Sequence, residues 1–172
     1  MGNLKIALVG NPNTGKSTLF NLLTGLNQKI GNFPGITVDK KLGYFKLPES
    51  TGYKQAEVID LPGAYSLYPK SKDESIVFEV LADKANKSHP DLIVLVADAT
   101  NLRRNLLLYS QVADLGIPML LVLNMADLAQ KEGIAIDVDK LAERLGVQVL
   151  AISARSKTGI DQLKQAIANF NP

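Results

Sequence analysis

Gly10-Asn11-Pro12-Asn13-Thr14-Gly15-Lys16-Ser17 spells G-x-x-x-x-G-K-[ST], directly after the apolar run Leu4-Lys5-Ile6-Ala7-Leu8-Val9. Strand, glycine-bounded loop and helix in that order are what a phosphate-cradling loop requires. Gly10 and Gly15 let the backbone turn tightly. The N–H groups of Asn13, Thr14, Gly15, Lys16, Ser17 and Thr18 then point inward, and a helix starting near Lys16 turns its positive dipole end to the same anion. Lys16 is expected to reach the β- and γ-phosphates, and Ser17 to ligate Mg²⁺. The stretch predicts binding of a nucleoside triphosphate.

Working outward, the runs 4–9, 56–59, 92–97, 119–123 and 147–152 read as strands, most of them too continuously apolar for a sheet with one wet face. Between them lie stripes at helical spacing: Ile76, Val77, Val80 and Leu81; Leu106, Tyr109, Val112 and Leu115; Ile160, Leu163, Ile167 and Phe170. Strand alternating with helix means a mostly parallel α/β sheet with helices on both faces. Gly25, Gly116 and Gly146 read as helix C-terminal glycines. Residues 43–47, a turn over 48–52 and residues 53–59 suggest a hairpin, making one edge of the sheet antiparallel.

The base reader is expected at Asn124-Met125-Ala126-Asp127, after the run ending at Leu123, where ligands of open α/β sheets sit. A carboxylate at Asp127 can accept from two guanine N–H groups at once, while adenine offers no matching donor pair. After the last strand, Ser153-Ala154-Arg155 falls where the Ala154 N–H could meet guanine O6. Taken singly, Asp127 also reads as a loop acid and Ser153 as a helix cap; together with the phosphate loop, in this order, they favour guanine.

Asp60-Leu61-Pro62-Gly63 closes the strand ending at Ile59, so Asp60 could serve the Mg²⁺ shell through water while the Gly63 N–H meets the γ-phosphate. Upstream, Asn32-Phe33-Pro34-Gly35-Ile36-Thr37 lacks periodicity; Gly35 and Ile36 lead to Thr37, a second hydroxyl for Mg²⁺. Thr37 alone would read as an ordinary strand former.

These segments together resemble the small G proteins of the TRAFAC class, and the spellings Gly-Asn-Pro-Asn-Thr-Gly-Lys-Ser, Gly-Asn-Phe-Pro-Gly-Ile-Thr-Val and Asp-Leu-Pro-Gly-Ala-Tyr-Ser-Leu resemble the G domain of the FeoB family of prokaryotic ferrous-iron transporters. The similarity also takes in residues 98–106 and 124–127. It implies one P-loop, Ras-like G domain over residues 1–170 that binds and hydrolyses GTP to GDP. Helical regulatory and membrane domains would follow elsewhere in the polypeptide, and the full-length protein would lie at the cytoplasmic face of the inner membrane. It further implies K⁺ beside the phosphates, held by the Asn13 side chain and by carbonyls of the Gly31-Asn32-Phe33 segment. Lys16, Asn13, Thr37 and Gly63 then form the expected catalytic set. Asn13 has a plainer reading as a turn residue.

Two departures from the generic pattern shape the kinetic expectation. The residue after Gly63 is Ala64, whose methyl cannot orient water, and neither segment near the phosphates holds an arginine; Arg103 and Arg104 read as solvated helix positions. Slow intrinsic turnover follows. The usual lysine after Asn124 is Met125, so weak guanine binding and fast release are expected.

Composition excludes other classes. With 46% hydrophobic and 21% charged residues over 172 positions, the chain can bury a one-domain core. A net charge of +2 argues against nucleic acid as a partner. An RNA- or tRNA-associated G protein of the Era or MnmE type is an alternative, but neither a basic stripe nor an added module is visible. A nucleotide-gated interaction module is another, and self-association is open. No cysteine and a single histidine leave no thiolate or His-rich metal site. The apolar runs are far short of the roughly 20 residues a membrane span needs, so a soluble chain is expected.

Overall fold

A continuous apolar strand is stable only where both faces of its sheet are covered. Leu4–Gly10 (β1), Leu92–Asp98 (β5) and Met119–Asn124 (β6) meet that condition at the centre of a seven-stranded sheet. The computed structural model describes residues 2–25, 28–33 and 38–170. Its other elements are Lys16–Thr24 (α1), Gln28–Asn32 (β2), Asp39–Lys46 (β3), Gln55–Asp60 (β4), Lys72–Ala82 (α2), Leu102–Ala113 (α3), Ala126–Lys131 (α4), Val138–Leu145 (α5), Gln148–Ala151 (β7) and Ile160–Ala168 (α6). The strand order is β2-β3-β4-β1-β5-β6-β7, parallel from β4 through β7 and antiparallel at β3 and β2.

Alternation along β1 divides the core. Ala7 and Val9 face Ile76, Val80, Leu108 and Val112 of α2 and α3, while Ile6 and Leu8 face Leu19, Phe20, Leu163 and Ile167 of α1 and α6. Most of the predicted stripe residues are buried, while Leu106, Leu115 and Phe170 are only partly so and Leu108 takes the central place on α3; no helix is long and apolar enough to cross a membrane among the described residues.

Several details depart from the sequence reading. β2 is not predicted, because Gln-Lys-Ile-Gly-Asn has no alternating pattern; it becomes a strand by pairing with β3, Ile30 opposite Lys41. The antiparallel edge is therefore two strands wide beyond β4. Gly25 and Gly146 do close helices, but α3 stops at Ala113 and Gly116 instead closes the following turn, its N–H donating to the Ala113 carbonyl. Phe170 packs on the core beyond the last turn of α6.

One close approach sets how α1 lies on the hairpin. A Cβ on Gly43 would come within 2.3 Å of Thr24 Cγ2, and Thr24 is pinned by its hydroxyl donating to the Phe20 carbonyl at 2.8 Å. Gly43→Ala is expected to lower stability by about 1–3 kcal/mol, as overpacking does; urea unfolding of the variant checks this, and an unchanged midpoint refutes it.

Candidate functional site

Parallel register brings the carboxyl ends of four strands to one rim. Leu8 pairs with Asp60, Gly10 with Val96, and Asp98 with Asn124, so the loop after β1 sits between Asp60 and Asn124. In that loop Asn13 has φ 64° and Gly15 φ 80°, left-handed conformations that asparagine tolerates and glycine adopts freely. Thr14 braces the turn by donating its hydroxyl to the Asn11 carbonyl at 3.0 Å. α1 begins with no side-chain cap and no acidic residue in its first turn, which leaves its N–H groups and dipole for an anion. Beside it opens a polar cleft of about 480 Å³, lined by Asn11, Pro12, Asn13, Gly15, Lys16, Ser17, Thr18, Gly63 and Asp73.

Within this cleft Lys16 is buried and ion-paired with Asp60 Oδ1, and Ser17 donates to Asp60 Oδ2 at 3.0 Å. Asp60, expected to meet Mg²⁺ through water, thus directly holds both the lysine and the hydroxyl. A buried ammonium needs a partner, and Asp60 is the carboxylate within reach. Asp73 is a cleft residue that sequence reasoning misses. By sequence it belongs to a solvated approach to a helix, yet Ser71 caps α2 and thereby sets the first turn, Asp73 included, at the cleft.

A second cleft of about 350 Å³ adjoins the first, sharing Gly15 and Thr18. It gathers Asn124, Met125, Asp127, Ser153, Ala154 and Arg155, as expected, and adds Leu128 and Lys131 from the face of α4. Spacing within α4 could have found Lys131, which lies four residues beyond Asp127, but not Leu128, the next residue in sequence. Asp127 is held below the ordinary carboxylate value of 3.8, chiefly by a hydrogen bond from the Ser153 side chain, with backbone N–H groups and Lys131 adding to it against a partial desolvation cost. Met125 has φ 62°, a strained conformation for a non-glycine residue, and it directly precedes α4.

Asn124 differs most from its expected role. Its Nδ2 donates to the Thr14 carbonyl at 2.8 Å and its Oδ1 accepts from the Ala154 N–H at 2.9 Å. The amide expected to face a base oxygen is thus donated to Asn124, which is buried and acts as a strut between the two loops. Gly15 is required here twice over: besides its φ, a Cβ would lie 2.2 Å from Asn124 Nδ2.

The segment after Asp60 is bound to its surroundings through main-chain groups. Ala64 is buried and donates to the Gly10 carbonyl at 3.1 Å, while Gly63 packs against Pro12. Farther on, Tyr65 and Lys70 donate to the Glu74 carboxylate and Leu67 to Gln111 Oε1. Arg103 and Arg104 are exposed on α3 as predicted, with the Arg104 guanidinium 4.4 Å from the centre of the Tyr65 ring. Gly31 is exposed in β2 and Phe33 is buried against α2, both apart from the lining of the polar cleft. Gly35, Ile36 and Thr37 lie outside the described residues.

A strand, a glycine-bounded loop with Lys16 and Ser17, an aspartate at the end of β4 and an Asn-x-x-Asp after β6 on this sheet define a P-loop GTPase fold, a G domain. The model of the family described as ferrous iron transport protein B matches residues 4–167, and the chain belongs to this FeoB family. It is 55% identical over 168 residues to the Fe(2+) transporter FeoB of Methanocaldococcus jannaschii, covering 98% of this chain and 24% of that protein. It thus spans about a quarter of the length of the curated relatives it matches. Among solved structures, an S. thermophilus NFeoB mutant bound to GDP superposes with a TM-score of 0.86 at 45% identity, covering 96% of this chain and 61% of that one. The FeoB G-domain from Methanococcus jannaschii superposes with 0.82 at 45% identity, covering 98% and 97%.

Asn124→Ala removes both bonds of the strut and leaves the Thr14 carbonyl and Ala154 N–H unpaired in a buried setting. The expected loss is about 2–4 kcal/mol of stability, measured by urea unfolding; a loss under about 0.5 kcal/mol would place the strut elsewhere.

Proposed function

We propose that this chain is a single G domain that binds guanine nucleotides and hydrolyses GTP, and that it regulates ferrous-iron passage through a membrane domain of the same polypeptide. The observation that carries the reading is the pair of adjoining clefts: Lys16, Ser17 and an uncapped helix start in one, Asp127 and Ser153 in the other, with Gly15 and Thr18 lining both. Triphosphate lies in the first cleft and purine in the second. The GDP bound by the S. thermophilus relative supports the same assignment. In this reading helical regulatory and membrane domains follow in the whole protein, with the G domain at the cytoplasmic face.

The donor sets fit the two cations. Ser17 Oγ and the Asp60 carboxylate are hard oxygen ligands suited to Mg²⁺, joined by Thr37 from the upstream segment, and Mg²⁺ when bound neutralises phosphate charge. Asn13 is exposed on the cleft and offers an amide oxygen for K⁺; the Gly31 and Phe33 carbonyls, which lie outside the cleft lining, would complete the shell only by moving toward it when nucleotide binds. Lys16 exchanges Asp60 for phosphate when nucleotide enters, while the Gly63 N–H meets the γ-phosphate. Asp127 holds guanine through two N–H groups, with Arg155 and Ala154 beside it, the Ala154 N–H meeting the base only by giving up or sharing its bond to Asn124. Buried Ala64 orients no water, which supports slow intrinsic turnover.

Asp127→Asn exchanges two acceptors for an acceptor and a donor, so preference is expected to move from guanine toward xanthine nucleotides by about 10²-fold or more. In the unaltered protein the lowered Asp127 value favours the ionised form, present above about 3.8 and lost only as pH falls through the folded value. The ratio of GDP affinities of the unaltered protein and Asp127→Asn, which cancels the titration of the nucleotide's own terminal phosphate, is therefore expected to stay flat by calorimetry from pH 8 down to about 5. Unaltered preference in the variant, or a ratio that halves by pH 6, refutes the assignment of Asp127.

Hydrolysis is expected to run faster in K⁺ than in Na⁺ by about tenfold or more, and Asn13→Ala to remove that difference, as loss of one charge-stabilising group does. Phosphate release in the two salts measures it. Equal rates for the unaltered domain reject the K⁺ role while leaving guanine binding intact.

A further inference from the structure

β2 is the outermost strand, and among the described residues its ladder partner is β3 alone. An antiparallel neighbour satisfies only half of a strand's N–H and C=O groups, so the rest face outward. Residues 29–32 are exposed, and Ile30 at the centre of the strand keeps 73% of its surface in water. This edge therefore presents an unpaired main-chain ladder with an apolar side chain in its middle.

Its charge is one-sided. Residues 28–46 carry Lys29, Lys40, Lys41 and Lys46 against the single acid Asp39, a local net of +3 in a chain whose formal total is +2. Lys41 stands opposite Ile30, and Lys29 reaches across to the Tyr44 ring, 5.9 Å from its centre. Beside the edge runs a groove of about 650 Å³ that includes Gln28, Lys29, Tyr44 and Lys46. Of the acids in the adjoining ladder, Asp39 stands opposite Asn32 at one end of β2, away from Lys29, and Glu57, one strand further in, accepts from Asn3 Nδ2 at 3.4 Å. A second copy of this chain paired edge to edge would bring up another positively charged edge with no acid in Gln28–Asn32 to meet Lys29, which is unfavourable.

We propose that the β2 edge docks an acidic, extended segment of a separate partner protein, which adds to the sheet as an eighth strand. Main-chain bonds to Gln28–Asn32 supply affinity, and alternate side chains supply selectivity. One face of the added strand lays an apolar residue on Ile30, and the other directs carboxylates to Lys29 and Lys46. Because β2 ends at Asn32 and Phe33 follows it in sequence toward Thr37, such a partner holds the chain at the start of the segment expected beside the phosphates.

The test is an NMR titration of the ¹⁵N-labelled 172-residue chain with the capped heptapeptide Glu-Val-Glu-Val-Glu-Val-Glu. Saturable shifts centred on the amides of 28–32, with slowed exchange there, are expected. The same peptide with its central Val replaced by Pro, which lacks an N–H, is expected not to bind. A Lys29→Glu, Lys46→Glu double variant with an unchanged melting temperature is expected to bind at least about tenfold more weakly. The proposal is overturned by the absence of saturable shifts, by shifts that survive the proline peptide, by shifts confined to the phosphate cleft, or by self-association of the free chain through β2. Binding to anionic vesicles that Lys29→Glu abolishes, without any peptide response, also overturns it.

Discussion

The two hydrogen bonds of Asn124 fix the relation between parts of the site that are far apart in sequence. Thr14 and Ala154 belong to loops at opposite ends of the chain, and one buried amide from β6 holds both at 2.8–2.9 Å. Each bond is worth little on its own, yet each group would be costly to leave unpaired inside the protein. The spacing between the phosphate loop and Asp127 therefore follows from a carboxamide of fixed length. Gly15 belongs to the same constraint, because a methyl there would displace the amide it packs against.

A second feature is electrostatic. The polar cleft holds a buried lysine, and it is neutralised within the protein by Asp60, which also takes the Ser17 hydroxyl. Under the proposed function an incoming phosphate competes with Asp60 for Lys16, so the carboxylate sets a threshold that only a multiply charged ligand crosses. The following segment, held by Gly10, Glu74 and Gln111 through its N–H groups, connects Asp60 to α2 and α3 without relying on side-chain packing alone.

Legibility of the chain follows the strength of its local signals. The central strands are readable because Leu4–Gly10, Leu92–Asp98 and Met119–Asn124 are almost wholly apolar, and only a strand buried on both faces needs that. β2 is not readable, because Gln28–Asn32 carries no alternation and owes its conformation to the ladder β3 offers. The end of α3 escapes prediction for a related reason: Gly116 marks a turn, but the helix has already stopped three residues before it. At the site, motif spacing finds Asp127 and Lys16. It does not find the strut role of Asn124 or the presence of Asp73 at the cleft, since both depend on residues brought together only by folding.

By itself the sequence determined the class of fold, the glycine-bounded loop before α1, the place of Asp127 beside the second cleft and the FeoB family, because each is written in short segments whose chemistry is local. Tertiary structure alone decided which polar groups satisfy one another: Lys16 with Asp60, Asn124 with Thr14 and Ala154, and an edge strand that among the described residues pairs on one side only. The physical reason is that a buried donor or acceptor chooses its partner by distance in space, and distances between residues 14, 124 and 154 exist only once the sheet has set its strand order.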